Sequence, residues 1–299
     1  MNVDVGGIYY QISSESTYTN VKKARIIDST GDANWINVIS IDDSQTTRIV
    51  FRSDCALWNS GASDLTRTRL HITSLSSLQR EGVYCYDMKV WKRIYMTKDG
   101  ICIQLIEDVP ESGGQFCLWS AGIVMAKYFE FCEPLRYALK GKKLLELGAG
   151  SGLTSMVASI LGAKVFSTEQ ESCLPYLRKN ASLNPDITIN IKTLGWTEAC
   201  MNTDLKFDFV FGCDITYEPK NFSSIINLIQ TFLKPSAVAY ICHDDDSCPL
   251  SKFASDELKA LCQQVGLTFT KVNYEECLDS SFYSEKIFIW QLSKDDTNL

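Results

Sequence analysis

From Lys143 onward, short strand-like runs, most of them apolar on both faces, alternate with longer runs whose apolar residues recur at helical spacing. The short runs are Lys143 to Leu147, Lys164 to Thr168, Ile187 to Leu194, Phe207 to Ile215, Ala237 to Cys242, Thr268 to Asn273 and Lys286 to Leu292. The longer runs lie at Thr154 to Leu161, Leu174 to Leu183, Asn221 to Leu233 and Ser255 to Val265. Strands apolar on both faces need covering on both sides, so the pattern predicts an α/β fold: a mostly parallel sheet between helices. No helical run separates the last two strands, which predicts that they pair antiparallel.

The first part of the chain reads differently. Ile8 to Ile12, Val21 to Ile27, Trp35 to Ile41 and Thr47 to Phe51 are β-like runs separated by polar or glycine-containing breaks. Such spacing predicts a small antiparallel sheet or barrel over residues 1–58, somewhat like an SH3-type or Tudor-type barrel. Tyr9, Tyr18, Trp35 and Phe51 are either its core or an aromatic cage for a methylated lysine. A Ser- and Thr-rich connector follows over 59–89, and a larger domain over 90–299. That domain opens with Val90 to Met96 and Ile101 to Ile106 around Lys98-Asp99-Gly100, a hairpin signal. Ser120 is a candidate N-cap for the helix AGIVMAKYFEF, which Pro134 ends.

Composition narrows the class. The chain has 299 residues, 45% of them hydrophobic and 22% charged, an ordinary globular balance. No apolar run reaches the roughly 18 to 20 residues that span a bilayer. The N-terminus MNVDVGGIYY has no basic or apolar signal region, so a soluble, cytoplasmic protein is expected, with the nucleus as the other possibility. Twelve cysteines contain no C-x-x-C pair and have only His71 and His243 beside them. They read as buried thiols in a reducing compartment, with no metal site expected. A net charge of -7 argues against a general nucleic-acid binder and suits a basic protein substrate.

The chemistry centres on KLLELGAGSGL, Lys143 to Leu153. A strand runs into Gly148, Gly150 and Gly152, and a helical run follows until Gly162. Such a turn lets backbone approach a ligand and offers it the free N–H groups of the helix start. A dinucleotide fingerprint needs glycine at position 153, where this chain has Leu153. Instead, E-L-G-x-G-x-G resembles the first motif of the S-adenosylmethionine-dependent methyltransferases. Glu169 closes the next strand 21 positions after Gly148, about where an acid accepts hydrogen bonds from ribose hydroxyls, and Glu171 is its nearby competitor.

Five ordered pieces make the resemblance specific: LWSAGIVMAKYFE, LLELGAGSGL, the strand ending in Glu169, LGW at Leu194 to Trp196, and FDFVFGCDITY at Phe207 to Tyr217. From about Tyr95 to Leu292 the chain resembles the protein-lysine methyltransferases of methyltransferase family 16, the nicotinamide N-methyltransferase-like group. The resemblance implies a seven-strand Rossmann-like methyltransferase sheet, S-adenosylmethionine as cofactor and a protein substrate carrying the target lysine. It implies that Trp119 borders the methionine end of the cofactor and Trp196 its adenine. Glu146, Gly148, Ala149, Gly150 and Gly152 would form the turn around it, with Glu169 and Gln170 at the ribose. Asp214 and Tyr217 of the Asp-x-x-Tyr signature would line the lysine channel, with Asp214 also bordering the cofactor. Glu169 stands where Asp is common in the family.

Asp214 also stands out on physical grounds. It follows an apolar strand at the sheet edge where ligands bind, and a carboxylate there is costly unless paired or hydrated. A free lysine near pKa 10.4 must lose a proton before it attacks, costing roughly 4 to 5 kcal/mol at pH 7. Asp214 is therefore expected to orient the amine and stabilise the charge that grows on it. The run His243-Asp244-Asp245-Asp246 reads as a solvated acidic loop beside the substrate. The alternatives to lysine methylation are methylation of a small amine, and a catalytically silent module that only binds a partner. A monomer is expected.

Overall fold

The computed structural model describes residues 92–107, 117–196, 204–245 and 255–294 with their side chains, and residues 2–5, 8–11, 24–28, 35–40, 47–51, 83–85, 90–91 and 252–254 as backbone. Two compact units divide the chain: Met1–Met96 with Gln104–Gly114, and Thr97–Ile103 with Gln115–Leu299. Strand Val90–Met96, grouped in the sequence with the larger domain, thus belongs to the first unit.

The first unit is built on strands β1 (Asn2–Val5), β2 (Ile8–Gln11), β3 (Ala24–Asp28), β4 (Trp35–Ser40), β5 (Thr47–Phe51), β6 (Val83–Cys85), β7 (Val90–Met96) and, from Gln104 on, β8 (Cys102–Glu107). They run in the order β2-β1-β3-β4-β5-β6-β7-β8. β3, β4 and β5 form an antiparallel meander, as their regular spacing predicts, whereas β1 pairs with β3 and β5 with β6 in parallel. The side chains of Tyr9, Trp35 and Phe51, the whole of Tyr18, and the 59–81 stretch of the connector lie outside the described residues. At the turn after β7, Gly100 donates its N–H to Thr97 O at 3.0 Å and adopts φ 81°, which glycine tolerates.

In the second unit, α1 (Ser120–Phe131) and α2 (Glu133–Ala138) precede β9 (Lys143–Glu146), α3 (Leu153–Ile160), β10 (Lys164–Glu169), α4 (Leu174–Ser182) and β11 (Asn190–Thr193). Then follow β12 (Phe207–Cys213), α5 (Phe222–Phe232), β13 (Leu233–Asp244), α6 (Lys252–Gln264), β14 (Leu267–Lys271) and β15 (Ile287–Lys294). The sheet order is β11-β10-β9-β12-β13-β15-β14. β15 pairs antiparallel with both β13 and β14, and the other pairs are parallel. The antiparallel ending follows from the missing helix. A parallel partner needs a crossover, and the short 3₁₀ turns Tyr274–Glu276 and Ser280–Phe282 do not supply one.

Strand alternation sorts the core onto the two faces. Phe211 and Tyr240 meet Phe129 and Tyr128 of α1 edge-on, at centroid distances of 5.2 and 6.1 Å. Val210, Ala239 and Ile241 instead join Phe222, Ile225 and Ile229 of α5 in the main apolar cluster. Burying aromatic and branched side chains at this density contributes about 1.5 to 3 kcal/mol each. α1 begins at Ser120 with Trp119 in the N-cap position, so Ser120 is its first residue and not its cap. β13 starts at Leu233, four residues before the predicted Ala237, because the strand runs directly out of α5 through an irregular pairing with Phe207.

Candidate active site

The sheet order decides where ligands can lie. From β9 the chain steps outward to β10 and β11, then returns to the other side of β9 with β12. The carboxyl ends of β9 and β12 therefore flank the switch point, where crossovers leave in opposite directions and open a crevice. Phe211 of β12 pairs with Glu146 of β9, and Leu147 donates its N–H to Phe211 O at 2.8 Å. This register sets the glycine turn after Glu146 beside the loop that starts at Asp214.

Gly148 adopts φ 65°, and a Cβ added there would sit 3.0 Å from Ile215 Cγ2 and 3.2 Å from Trp196 Cζ2. At Gly152, with φ 80°, a Cβ would come within 2.6 Å of Leu177 Cδ1. The turn is thus closed on its protein side by side chains from three other segments. At Gly150 a Cβ would meet no described residue within 4 Å, so one side of the turn faces open space among the described residues. Ala149 is buried and donates its N–H to Thr168 O at 2.9 Å, tying the turn to β10.

Glu169 reaches that turn from the end of β10. Its Oε2 accepts the Gly150 N–H at 2.9 Å and its Oε1 accepts the Gln170 N–H at 2.8 Å. Burial raises its pKa, and these two hydrogen bonds oppose the rise. Each carboxylate oxygen keeps a further lone pair for a hydroxyl. Glu171, the competitor, is turned elsewhere and accepts from Thr193 Oγ1 at 2.7 Å. The Gln170 side chain is engaged with Cys173 Sγ at 3.3 Å, leaving its backbone beside Glu169.

Glu146, grouped in the sequence with the residues around the cofactor, is turned inward. It is 2% exposed and accepts a hydrogen bond from Ser155 of α3. Burial pushes its pKa up to about 8, with the charge of Glu169 adding to the rise against the Ser155 bond. Its carboxyl braces the turn from beneath. The Ser155 partnership escaped the sequence reading because it joins a strand to a helix across the turn.

Asp214 follows β12 at φ 52°, a left-handed backbone that Asp tolerates better than most residues. Its N–H donates to Cys242 O at 2.8 Å, and its Oδ1 accepts the Asp244 N–H at 2.8 Å. Among the described residues its Oδ2 is shielded from solvent with no hydrogen-bond partner. Burial raises the Asp214 pKa to about 7; the Asp244 N–H opposes this and the Asp244 charge adds to it. Tyr217, three residues on, is 47% exposed, and its ring lies 5.9 Å from that of Trp196. Trp196 thus bridges the glycine turn and the Asp214 loop. Trp119 is 41% exposed at the start of α1, its carbonyl accepting the N–H groups of Gly122 and Ile123.

Two further features were not legible in the sequence. Gly212, although not in a turn, has no room for a Cβ, which would lie 2.4 Å from Ile215 Cδ1 and 3.0 Å from Leu147 O. His243, read as part of an acidic run, is fully buried and bonded to Thr216. Among the described residues no group of three or more potential metal ligands converges; Asp246 lies outside them.

A parallel sheet reversing at a glycine turn, with an acid closing the next strand, defines a Rossmann-like methyltransferase fold. The same fold is seen in the Thermus thermophilus 16S rRNA N2 G1207 methyltransferase solved with AdoMet and guanosine, at TM-score 0.50 and 14% identity, covering 68% of this chain and 50% of that one. Residues 97–256 match the family model described as lysine methyltransferase, more than half of the chain, and the chain belongs to that family. Among curated relatives, the protein N-lysine methyltransferase METTL21A of Danio rerio is 32% identical over 136 residues, covering 43% of this chain and 60% of that protein. METTL21A of Mus musculus is 27% identical over 186 residues, covering 60% of this chain and 81% of that protein. The chain thus spans about 60% of the length of the Danio relative it matches.

Proposed function

We propose that this protein is an S-adenosylmethionine-dependent protein-lysine N-methyltransferase. The observation that carries the reading is Asp214 Oδ2, a buried carboxyl oxygen with no hydrogen-bond partner at the switch point beside the glycine turn. Burying such an atom costs stability, and an amine brought beside it recovers that cost.

The turn suits the cofactor. The open side of Gly150 leaves space for it, Glu169 presents two anchored oxygens to ribose hydroxyls, and Trp196 offers an aromatic wall for adenine. Gly148, Ala149, Gly150, Gly152 and the Gln170 backbone complete that cradle, with Trp119 at its methionine end. When bound, the cofactor supplies an electrophilic methyl group on a sulfonium. Asp214 orients the lysine amine and, as a carboxylate, stabilises the positive charge that grows on nitrogen. Tyr217 walls the amine with a ring face.

The exposure of Trp119 and Tyr217 supports a protein substrate, because the site edge is open to an extended chain. The net charge of -7 supports a basic segment in that substrate, and we read the protein as acting on it as a monomer, with no nucleic-acid partner. Among the described residues Cys132, Cys173, Cys213, Cys242, Cys262 and Cys277 carry free thiols, which supports a cytoplasmic or nuclear location. Among the described residues no helix is long and apolar enough to cross a membrane.

Incubating the purified protein with methyl-labelled cofactor and cell lysate tests the reading. Label in discrete protein bands, placed on lysine by mass spectrometry, is the expected result. Label only in small molecules favours methylation of a small amine. Cofactor binding without any label favours a silent module.

A further inference from the structure

Hydrogen bonds tie the turn from Asp214 to Tyr217 to the end of β13. Two involve β13 backbone: Asp214 N–H to Cys242 O, and Asp244 N–H to Asp214 Oδ1, each 2.8 Å. Any residues at 242 and 244 offer those partners. A third joins side chains, Thr216 Oγ1 and His243 Nδ1 at 3.0 Å, and both residues are 0% exposed. Unlike those two, it depends on which residues stand at 216 and 243.

The imidazole is itself held. It stacks on the Trp290 indole at a centroid distance of 5.9 Å and an interplanar angle of 12°. Trp290 stacks in turn on Phe288, at 6.1 Å and 4°, and packs against Phe269 at 5.2 Å. The opposite ring nitrogen, Nε2, lies 3.9 Å from Asp245 Oδ1. An aromatic stack anchored in β14 and β15 thus fixes the ring plane, and the ring fixes Thr216. Thr216 separates the two residues assigned to the lysine, Asp214 and Tyr217, so a shift at its hydroxyl moves both.

We propose that His243 is a positioning residue. Through Thr216 it sets the turn so that Asp214 Oδ2 and Tyr217 present one fixed geometry to the incoming amine. The inference rests on the reading of this turn as the lysine wall. A turn held only by its backbone bonds has room to rotate the Asp214 carboxyl, and misplacement by an ångström is costly to an in-line transfer.

Four variants of the full chain test this: Thr216→Val, Thr216→Ser, His243→Gln and His243→Asn. Thr216→Val removes the hydroxyl at nearly constant volume, whereas Thr216→Ser keeps it. Asn places a polar atom near the position of Nδ1, and Gln nearer that of Nε2. We expect Thr216→Val and His243→Gln to lower turnover at saturating cofactor about tenfold, the effect of one hydrogen bond. S-adenosylmethionine affinity, measured by calorimetry, stays within about twofold on the same scale. Hydrogen exchange at the amides of Asp214 and Asp244 speeds up in both variants, while Thr216→Ser and His243→Asn recover most of the turnover and protection. Wild-type exchange in Thr216→Val and His243→Gln overturns the proposal, as does a loss of cofactor affinity equal to the loss of turnover. If the wild-type protein transfers no label, the methyl-transfer reading fails, and the exchange data still decide whether His243 holds the turn.

Discussion

The backbone N–H of Asp244 donates to one oxygen of Asp214 at 2.8 Å, while the other oxygen of that carboxyl is shielded from water and has no hydrogen-bond partner. One half of the group is thus fixed and the other half is left without a partner. This division of labour lets a carboxyl be both oriented and reactive toward a cation.

Asp214→Ala removes the oriented oxygen without touching the glycine turn. Methyl transfer is expected to fall by at least about a hundredfold, the scale of losing an electrostatic partner of the transition state. Cofactor affinity stays near the wild-type value by calorimetry. Wild-type turnover in this variant would remove Asp214 from the mechanism.

The pH profile follows from two ionisations. Burial raises Asp214 to about 7, so below that pH the group is protonated and loses its hold on the ammonium and on the growing charge. The substrate amine, near pKa 10.4, must itself lose a proton. The logarithm of kcat/KM is therefore expected to rise steeply with pH below about 7 and at about half that slope above it. A single slope through that region sinks the assignment.

Glu169 holds the turn through the N–H groups of Gly150 and Gln170 while keeping lone pairs for ribose. Glu169→Ala is expected to weaken S-adenosylmethionine binding about tenfold or more, the cost of hydrogen bonds to a charged group. Glu169→Asp, one methylene shorter, falls between them because it cannot span both N–H groups. Isothermal titration ranks the three.

Gly148→Ala places a Cβ 3.0 Å from Ile215 and 3.2 Å from Trp196, at φ 65°. The left-handed backbone costs about 1 to 2 kcal/mol with any L side chain. Trp196 must also move from the wall it forms beside Tyr217. A lower Tm together with weaker cofactor binding is expected, by thermal melts and calorimetry.

Glu146 links stability to pH. Its folded-state pKa is raised, by burial first and by the charge of Glu169 second, to about 8. A carboxyl with a raised folded pKa favours the folded state while it is protonated, and this advantage is lost as pH rises from the unfolded pKa, about 4.3, toward the folded one. Glu146→Gln keeps a neutral side chain that still accepts from Ser155. Its Tm relative to the wild type is expected to climb between about pH 5 and pH 8, and to level off above that. A Tm difference independent of pH would show that Glu146 is not protonated in the fold.

Local order carried much of the fold in the sequence. Runs apolar on both faces marked most of the strands from Leu144 to Leu292, and the missing helix before Ile287 marked the antiparallel ending. Leu153 in place of a third fingerprint glycine separated this turn from a dinucleotide site. These signals are legible because backbone geometry couples neighbours at period 2 or 3.6.

The strand order β11-β10-β9-β12-β13-β15-β14 is written in no single segment, and it brings Gly148, Trp196, Asp214 and Tyr217 to one edge. Glu146 and Glu169 lie 23 positions apart and look alike in sequence. The fold turns one inward to Ser155 and the other to the amide of Gly150. His243 sits among acids in sequence, yet the fold takes it out of water and stacks it on Trp290. The sequence by itself determined the elements and the chemical alphabet of the site, through spacing along the backbone. Only the tertiary structure decided which carboxyl burial pushes toward its protonated form, which oxygen is left without a partner and which ring stacks beneath the turn, because those depend on water being excluded by residues distant in the chain.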